Sequence, residues 1–252
     1  MTLRDEIESY KKAKVSLDTG EIEFWDHVIF PNVIRQRQIR LILNALEKVS
    51  PQKILDFGCG AGWLSKILLS KGYNVIGVDA SDSLIGCAKE SCNKDLFVVG
   101  DCMHLPFGES RFDCITGSAI LHHLDAAQAL SECYRVTSSG GTLLLMEPNK
   151  LNPIAALGRK MTNLQTGGEK PFHPRSLEKA LVSTGWSTVD VRYLFPYSFG
   201  LSYLFKTLRL GNRQELRAIC PFIEASEHVF EKVPLSNRLG YLIFVVARKK
   251  TQ

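Results

Sequence analysis

Between residues 53 and 148, five short apolar runs alternate with stretches of helical spacing, and no other feature of the chain restricts its fold as much. The runs are "KILDFG" (53–58), "NVIGVD" (74–79), "LFVVGD" (96–101), "FDCITGSA" (112–119) and "GTLLLMEP" (141–148), each bounded by turn residues. Segments 62–71, 82–93 and 125–137 carry apolar residues at helical intervals. Strands that are apolar on both faces belong in a parallel sheet covered by helices on both sides. Helices are predicted at 3–14 and 32–49, the second ended by Ser50-Pro51. Beyond Pro148 the rhythm changes. A helix is predicted over 173–185, with Pro174-Arg175-Ser176 at its start and Gly185 at its end, and strands over 187–195 and 241–249. About 45 residues lie between those strands, too many for a plain hairpin. They are read as an inserted lobe, about 196–237, with a helix at 213–232. The expected organisation is an N-terminal helical segment, 1–49, over a domain spanning 50–252.

The totals narrow the class. A chain of 252 residues, 45% hydrophobic, suits one sizeable α/β domain with an added lobe. No apolar run approaches the roughly 20 residues of a bilayer span. The start, "MTLRDEIESYKKAK", is charged and lacks the apolar centre of a secretory signal. Seven cysteines are scattered without a C-x-x-C pair, and His122 and His123 are adjacent rather than at ligand spacing. A cytoplasmic protein with free thiols and no metal is expected. Residues 1–149 hold 15 Lys and Arg against 19 acids, and residues 150–252 hold 16 against 7, so the basic charge lies in the second part.

Gly58, Gly60 and Gly62 stand at alternate positions directly after the first run. A dinucleotide fingerprint places its third glycine three residues after the second; here Trp63 holds that position. No Gly-Lys-Ser/Thr follows to make a phosphate loop. Asp56, just upstream, would repel a phosphate and attract a cation. Asp79 ends the second run, 21 residues after Gly58, where a carboxylate can accept both ribose hydroxyls. Asp101 ends the third. A ligand meeting all three needs a cationic end, a ribose and a donor-bearing base, and S-adenosylmethionine has these parts.

The blocks "LDFGCGAGWLS", "GVDAS", "GDCMHLPFGESRFDCITGSAILHHL" and "GGTLLLMEPN" together resemble the class I S-adenosylmethionine-dependent methyltransferases, in particular the branch acting on small molecules and lipid quinones. The resemblance covers residues 50–149. It implies a Rossmann-like doubly wound α/β fold with a mostly parallel seven-stranded sheet of order 3-2-1-4-5-7-6, strand 7 antiparallel, and a helical lid between strands 6 and 7. It implies that Asp56 and the Gly58 backbone hold the methionine ammonium, while Gly60 and Gly62 let the chain pass close to the cofactor. The helix opening near Gly62 would receive the methionine carboxylate. Asp79 would take the ribose hydroxyls with Ala80 beside the adenine, Asp101 the adenine amino group, the Cys102 amide a ring nitrogen, and the Ser118 carbonyl the ammonium. Each residue type also has an ordinary use: a lone Gly-x-Gly is often a turn, a strand-end Asp often a helix cap.

Transfer of a methyl group from a sulfonium requires mainly alignment and exclusion of water. A general base is optional, and the candidate is His123 in "SAILHHLD", with His122 behind it. The competing use of both is packing the turn before the helix at 125. "GSAILHH" lacks the Pro-Pro-aromatic block of DNA amino-methyltransferases, and no RNA-binding motif is present, so no nucleic-acid partner is expected. Tyr193, Phe195, Tyr197, Phe199, Tyr203 and Phe205, followed by Lys206 and Arg209, suit either a lid packed on the sheet or a pocket for an apolar or amphipathic acceptor. With the basic charge around it, such a lid could also rest on an anionic membrane. Two alternatives stay open: a non-catalytic S-adenosylmethionine-binding module, and a methyltransferase for tRNA or protein.

Overall fold

The computed structural model describes residues 15–16, 21–22, 31–92, 95–162, 170–195, 220–230 and 237–251. Its centre is a seven-stranded sheet made of β1 (Ile54–Phe57), β2 (Val75–Asp79), β3 (Phe97–Val99), β4 (Phe112–Ser118), β5 (Thr137–Pro148), β6 (Trp186–Leu194) and β7 (Leu242–Lys249). The spatial order is β3-β2-β1-β4-β5-β7-β6. Neighbours from β3 to β5 pair in parallel, and β7 runs antiparallel to both β5 and β6. This is the sheet that the resemblance implied. The order reverses between β1 and β4, which opens a crevice at their carboxyl ends.

Helices cover both faces, as strands buried on each side require. On one face, α1 (Pro31–Val49) and α2 (Trp63–Ser70) set Ile34, Ile42, Leu46, Leu64 and Leu68 against Ile54, Leu144 and Phe244. On the other, α4 (Ala126–Val136) and α6 (Pro174–Ser183) set Leu130, Cys133, Leu177 and Leu181 against Leu55, Ile115, Leu143 and Val245. Between β2 and β3 runs α3 (Asp82–Cys92), whose Ile85 and Ala88 meet Phe97. Helix α5 (Pro153–Thr162) follows β5, and α7 (Cys220–Phe230) lies between β6 and β7.

Local signals explain the ends. Asp125 caps α4 by accepting the Gln128 amide, and His173 caps α6 by accepting the Arg175 amide, with Pro174 in the first turn. Gly185, just past α6, has φ +95°, the left-handed geometry expected of a terminating glycine. Strand β5 begins four residues earlier than the apolar pattern suggests, because Thr137 pairs with Phe112 across an irregular register. A short antiparallel ladder joins Val15–Ser16 to Glu21–Ile22, which the sequence did not signal. The helix expected at 3–14 and most of the 196–237 lobe, including Tyr197, Phe199, Tyr203 and Phe205, lie outside the described residues. Cys220–Phe230 falls within the helix expected at 213–232.

Trp186 anchors the β6 edge to α4. It is 2% exposed, donates its indole N–H to the Leu130 carbonyl at 3.2 Å, and meets the Tyr134 ring edge-on at 5.3 Å. Trp186→Ala is expected to lower the unfolding free energy by about 3–5 kcal/mol, the scale of a large buried aromatic lost to a cavity. Denaturant unfolding checks this, and a change under 1 kcal/mol would show that the edge strand is held by other contacts.

Candidate active site

The glycine loop leaves β1 in left-handed geometry at each of its three glycines, with φ of 66° at Gly58, 53° at Gly60 and 80° at Gly62. The reasons differ. A Cβ on Gly58 would lie 2.3 Å from Cγ1 of Ile120, and one on Gly62 would lie 3.0 Å from Ala88, so both positions are sterically closed. A Cβ on Gly60 would meet nothing within 4 Å among the described residues. Its bare backbone therefore faces open space at the crevice.

Asp79, at the end of β2, organises this loop. One carboxylate oxygen accepts the Gly60 amide at 2.9 Å and the other accepts the Ser81 amide at 2.9 Å. Each oxygen keeps acceptor capacity for a further donor. Burial pushes the Asp79 carboxyl up; the Ser81 and Gly60 amides and the charge of His123 pull it back, and the net direction is upward.

Asp56 lies inside β1 and is 3% exposed. It points beneath α2, where one oxygen accepts the Ser65 hydroxyl at 2.6 Å and the Ser65 amide at 3.1 Å. Burial lifts its pKa to about 6 against these bonds. The carboxylate thus ties the start of α2 to the sheet. Among the described residues, the Trp63 and Leu64 amides ahead of Ser65 have no acceptor. Such orphan donors at a helix start suit an anion.

Asp101 follows β3 and is exposed. It accepts the Met103 amide at 2.8 Å and pairs with Nδ1 of His104 at 2.9 Å. What burial it has raises its pKa, but the His104 and Met103 hydrogen bonds prevail and the net direction is downward. Cys102 is buried, and burial together with the Asp79 charge drives its thiol far up, which removes it as a nucleophile. Its backbone amide has no acceptor among the described residues. Ala80 is exposed directly after Asp79. Ser118 ends β4 one step beyond the Phe57–Gly117 pair, which sets it beside Gly58.

After Ser118 the chain turns through Ala119, at φ 56°, into the short 3-10 helix Leu121–His123. The His122 ring is buried, and the half-buried His123 ring lies against it with centroids 4.0 Å apart. His123 is also within electrostatic reach of Asp79. The expected site residues thus gather around one crevice. Sequence reasoning missed Ser65, Ile120 and Glu147 and found no context for His104. Glu147 was the legible one, an acid closing an otherwise apolar strand as Asp79 does.

Tyr193 and Phe195 separate. Phe195 is fully buried in the core near α1, and Tyr193 lines a cavity of about 1190 Å³ with Leu41, Leu177, Leu194, Arg40, Arg192 and Arg238. That cavity surrounds β6. It shares no residue with the glycine-loop crevice and sits four strand positions away, roughly 19 Å at the usual ~4.8 Å spacing. Among the described residues no group of acids, histidines and cysteines could hold a metal ion, and no helix is long and apolar enough to cross a membrane.

Residues 55–145 match the family described as "Methyltransferase domain". The chain is 39% identical over 108 residues to malonyl-[acyl-carrier protein] O-methyltransferase of Erwinia billingiae, covering 42% of this chain and 43% of that protein. It is 33% identical over 116 residues to demethylmenaquinone methyltransferase of Thermotoga maritima, covering 45% and 49%. The chain therefore spans under half the length of these named relatives. Among solved structures, the [4+2]-cyclase SpnF aligns with a TM-score of 0.60 at 17% identity, covering 95% of this chain and 98% of that one. Geranyl diphosphate C-methyltransferase from Streptomyces coelicolor, solved with S-adenosyl-L-homocysteine, aligns at 0.59 with 16% identity, covering 86% and 79%. Identities this low show the fold alone.

The buried Asp56 generates a stability test. Because its folded pKa of about 6 lies above the ordinary 3.8, the native state holds the proton more tightly than the unfolded chain. Its contribution is most favourable below pH 4, falls as pH rises to about 6, and is flat above that, a total of about 3 kcal/mol. Urea unfolding of wild type and Asp56→Asn between pH 4 and 7 is expected to show this slope in the wild type only. Parallel curves would mean that the carboxyl is hydrated in the folded protein.

Proposed function

We propose, from a chain whose residues 55–145 are a class I S-adenosylmethionine-dependent methyltransferase domain, that this protein transfers a methyl group to a small hydrophobic or amphipathic acceptor. The observation that carries the reading is the convergence at one crevice of a bridging carboxylate, amides without an acceptor among the described residues, and a glycine that no described residue crowds on its open side. Those groups fit the cofactor's parts. Asp79 accepts the ribose hydroxyls with the acceptor capacity left by Gly60 and Ser81. The Trp63 and Leu64 amides hold the methionine carboxylate, and Asp56, Gly58 and the Ser118 carbonyl attract the ammonium. Asp101 and the Cys102 amide read the adenine edge, with Ala80 at its face, while Gly60 and Gly62 allow close approach.

The cofactor supplies an activated methyl on a sulfonium leaving group. The chain then has to align an acceptor in line with that bond and exclude water, which can lower a barrier by about 7–11 kcal/mol. His123, on the turn after β4, takes the proton that the acceptor loses at an imidazole nitrogen. Exposed Phe222, Val229 and Phe230 on α7 support contact of the lobe with a lipid surface.

A second reading, the same fold binding the nucleoside without methyl transfer, draws on the likeness to a cyclase. Label transfer from methyl-labelled S-adenosylmethionine to quinone, acyl-thioester, RNA and peptide acceptors separates the readings. Label on either small acceptor supports the proposal, and label on RNA or peptide alone contradicts it. Gly60→Ala tests the crevice itself. Its Cβ has space, so the loss of stability is expected to stay within about 1–2 kcal/mol of backbone strain. Calorimetric affinity for S-adenosylhomocysteine is expected to fall more than tenfold, about 1.4 kcal/mol or more. Unchanged affinity would place the nucleoside elsewhere.

A further inference from the structure

Glu147 ends the apolar run of β5, two strands from the glycine loop, and is completely buried. Oε1 accepts the Ile120 amide at 3.1 Å and the Leu121 amide at 2.8 Å. Oε2 accepts the His122 amide at 3.3 Å and meets the His122 Nδ1 at 2.8 Å. One carboxylate thus receives three successive backbone donors and an imidazole. Burying a carboxylate is costly unless donors surround it, and a turn as short as Leu121–His123 can be capped by neutral side chains. The choice of an acid needs a further reason.

Two contact chains leave that carboxylate. Through the Ile120 amide it fixes the Ile120 side chain, whose Cγ1 lies where a Cβ on Gly58 would be, 2.3 Å from it. Through Nδ1 it fixes the His122 ring, against which His123 rests at 4.0 Å, within electrostatic reach of Asp79. Both chains end at residues assigned to the cofactor.

We propose that Glu147 is the positioning residue of this site: it sets the 120–122 turn so that Ile120 closes on Gly58, and it holds His122 with Nδ1 protonated toward the carboxylate so that His123 has a fixed support. The inference rests on the reading of the glycine loop as the cofactor crevice for its first half. The second half stands on the Glu147–His122 geometry alone.

The first half is tested by a double-mutant cycle on S-adenosylhomocysteine affinity, measured by calorimetry with Glu147→Ala, Ile120→Ala and the pair. Each single change is expected to weaken binding about tenfold, and the pair about as much as either alone, because both act through one contact. Multiplying losses, or no loss from Glu147→Ala, would overturn it. The second half is tested with Glu147→Gln, which keeps the shape if Glu147→Ala fails to fold. Its amide oxygen stays with the Ile120 and Leu121 donors, so its NH₂ faces Nδ1 of His122 and gives up only the long 3.3 Å contact with the His122 amide. The ring is then expected to move its proton from Nδ1 to Nε2, visible as exchanged ¹⁵N shifts of the two ring nitrogens. Nδ1 still protonated in Glu147→Gln would overturn it. If wild type does not bind S-adenosylhomocysteine, the cofactor reading and the Ile120 half fall together, and the ¹⁵N shifts still decide the rest.

Discussion

The bridge from the Asp79 carboxylate to the Gly60 and Ser81 amides is the contact on which the site depends. It joins the loop after β1 to the loop after β2, beside the switch point where the strand order reverses between β1 and β4. A glycine loop with left-handed residues has many conformations available to it, and an acceptor with two oxygens selects one. That one leaves the Gly60 backbone facing open space. Each Asp79 oxygen keeps acceptor capacity beyond these amides, which in the proposed reading a ribose diol fills.

Three acids, two on adjacent strands β1 and β2 and one just past the neighbouring β3, have three environments. Asp56 is buried beneath α2 and titrates near 6, Asp79 is raised by burial and partly restored by amides, and Asp101 is exposed and held low beside His104. The gradient runs from the sheet interior to its rim, and a ligand with a cationic end and a hydrogen-bonding base fits along it. A buried acid near 6 gains from a neighbouring ammonium more than a solvated one does, because desolvation is what raised it. The same low-dielectric setting makes Glu147 informative: it is the most buried acid near the crevice, and all its partners are donors of one turn.

Much of this was legible in the chain. Apolar runs such as Ile54–Phe57 are buried at every position, so they read as strands without ambiguity. The spacing of Asp56, Asp79 and Asp101 to the glycines carried over because each sits at or near a strand end, where register fixes position. Partners set by tertiary contact were not legible. Ser65 meets Asp56 only after α2 folds onto β1, and Ile120 meets Gly58 only once β4 lies beside β1. Phe195 and Tyr193, two residues apart in one aromatic stretch, went to a core and to a cavity wall, a difference that composition does not encode.

The most direct measurement is a crystal structure grown with S-adenosylhomocysteine. Ribose hydroxyls within hydrogen-bond distance of both Asp79 oxygens, with the adenine edge at Asp101 and the Cys102 amide, are expected. A nucleoside seated at the β6 cavity, or density elsewhere with the Asp79 carboxylate untouched, would contradict the assignment of the glycine-loop crevice.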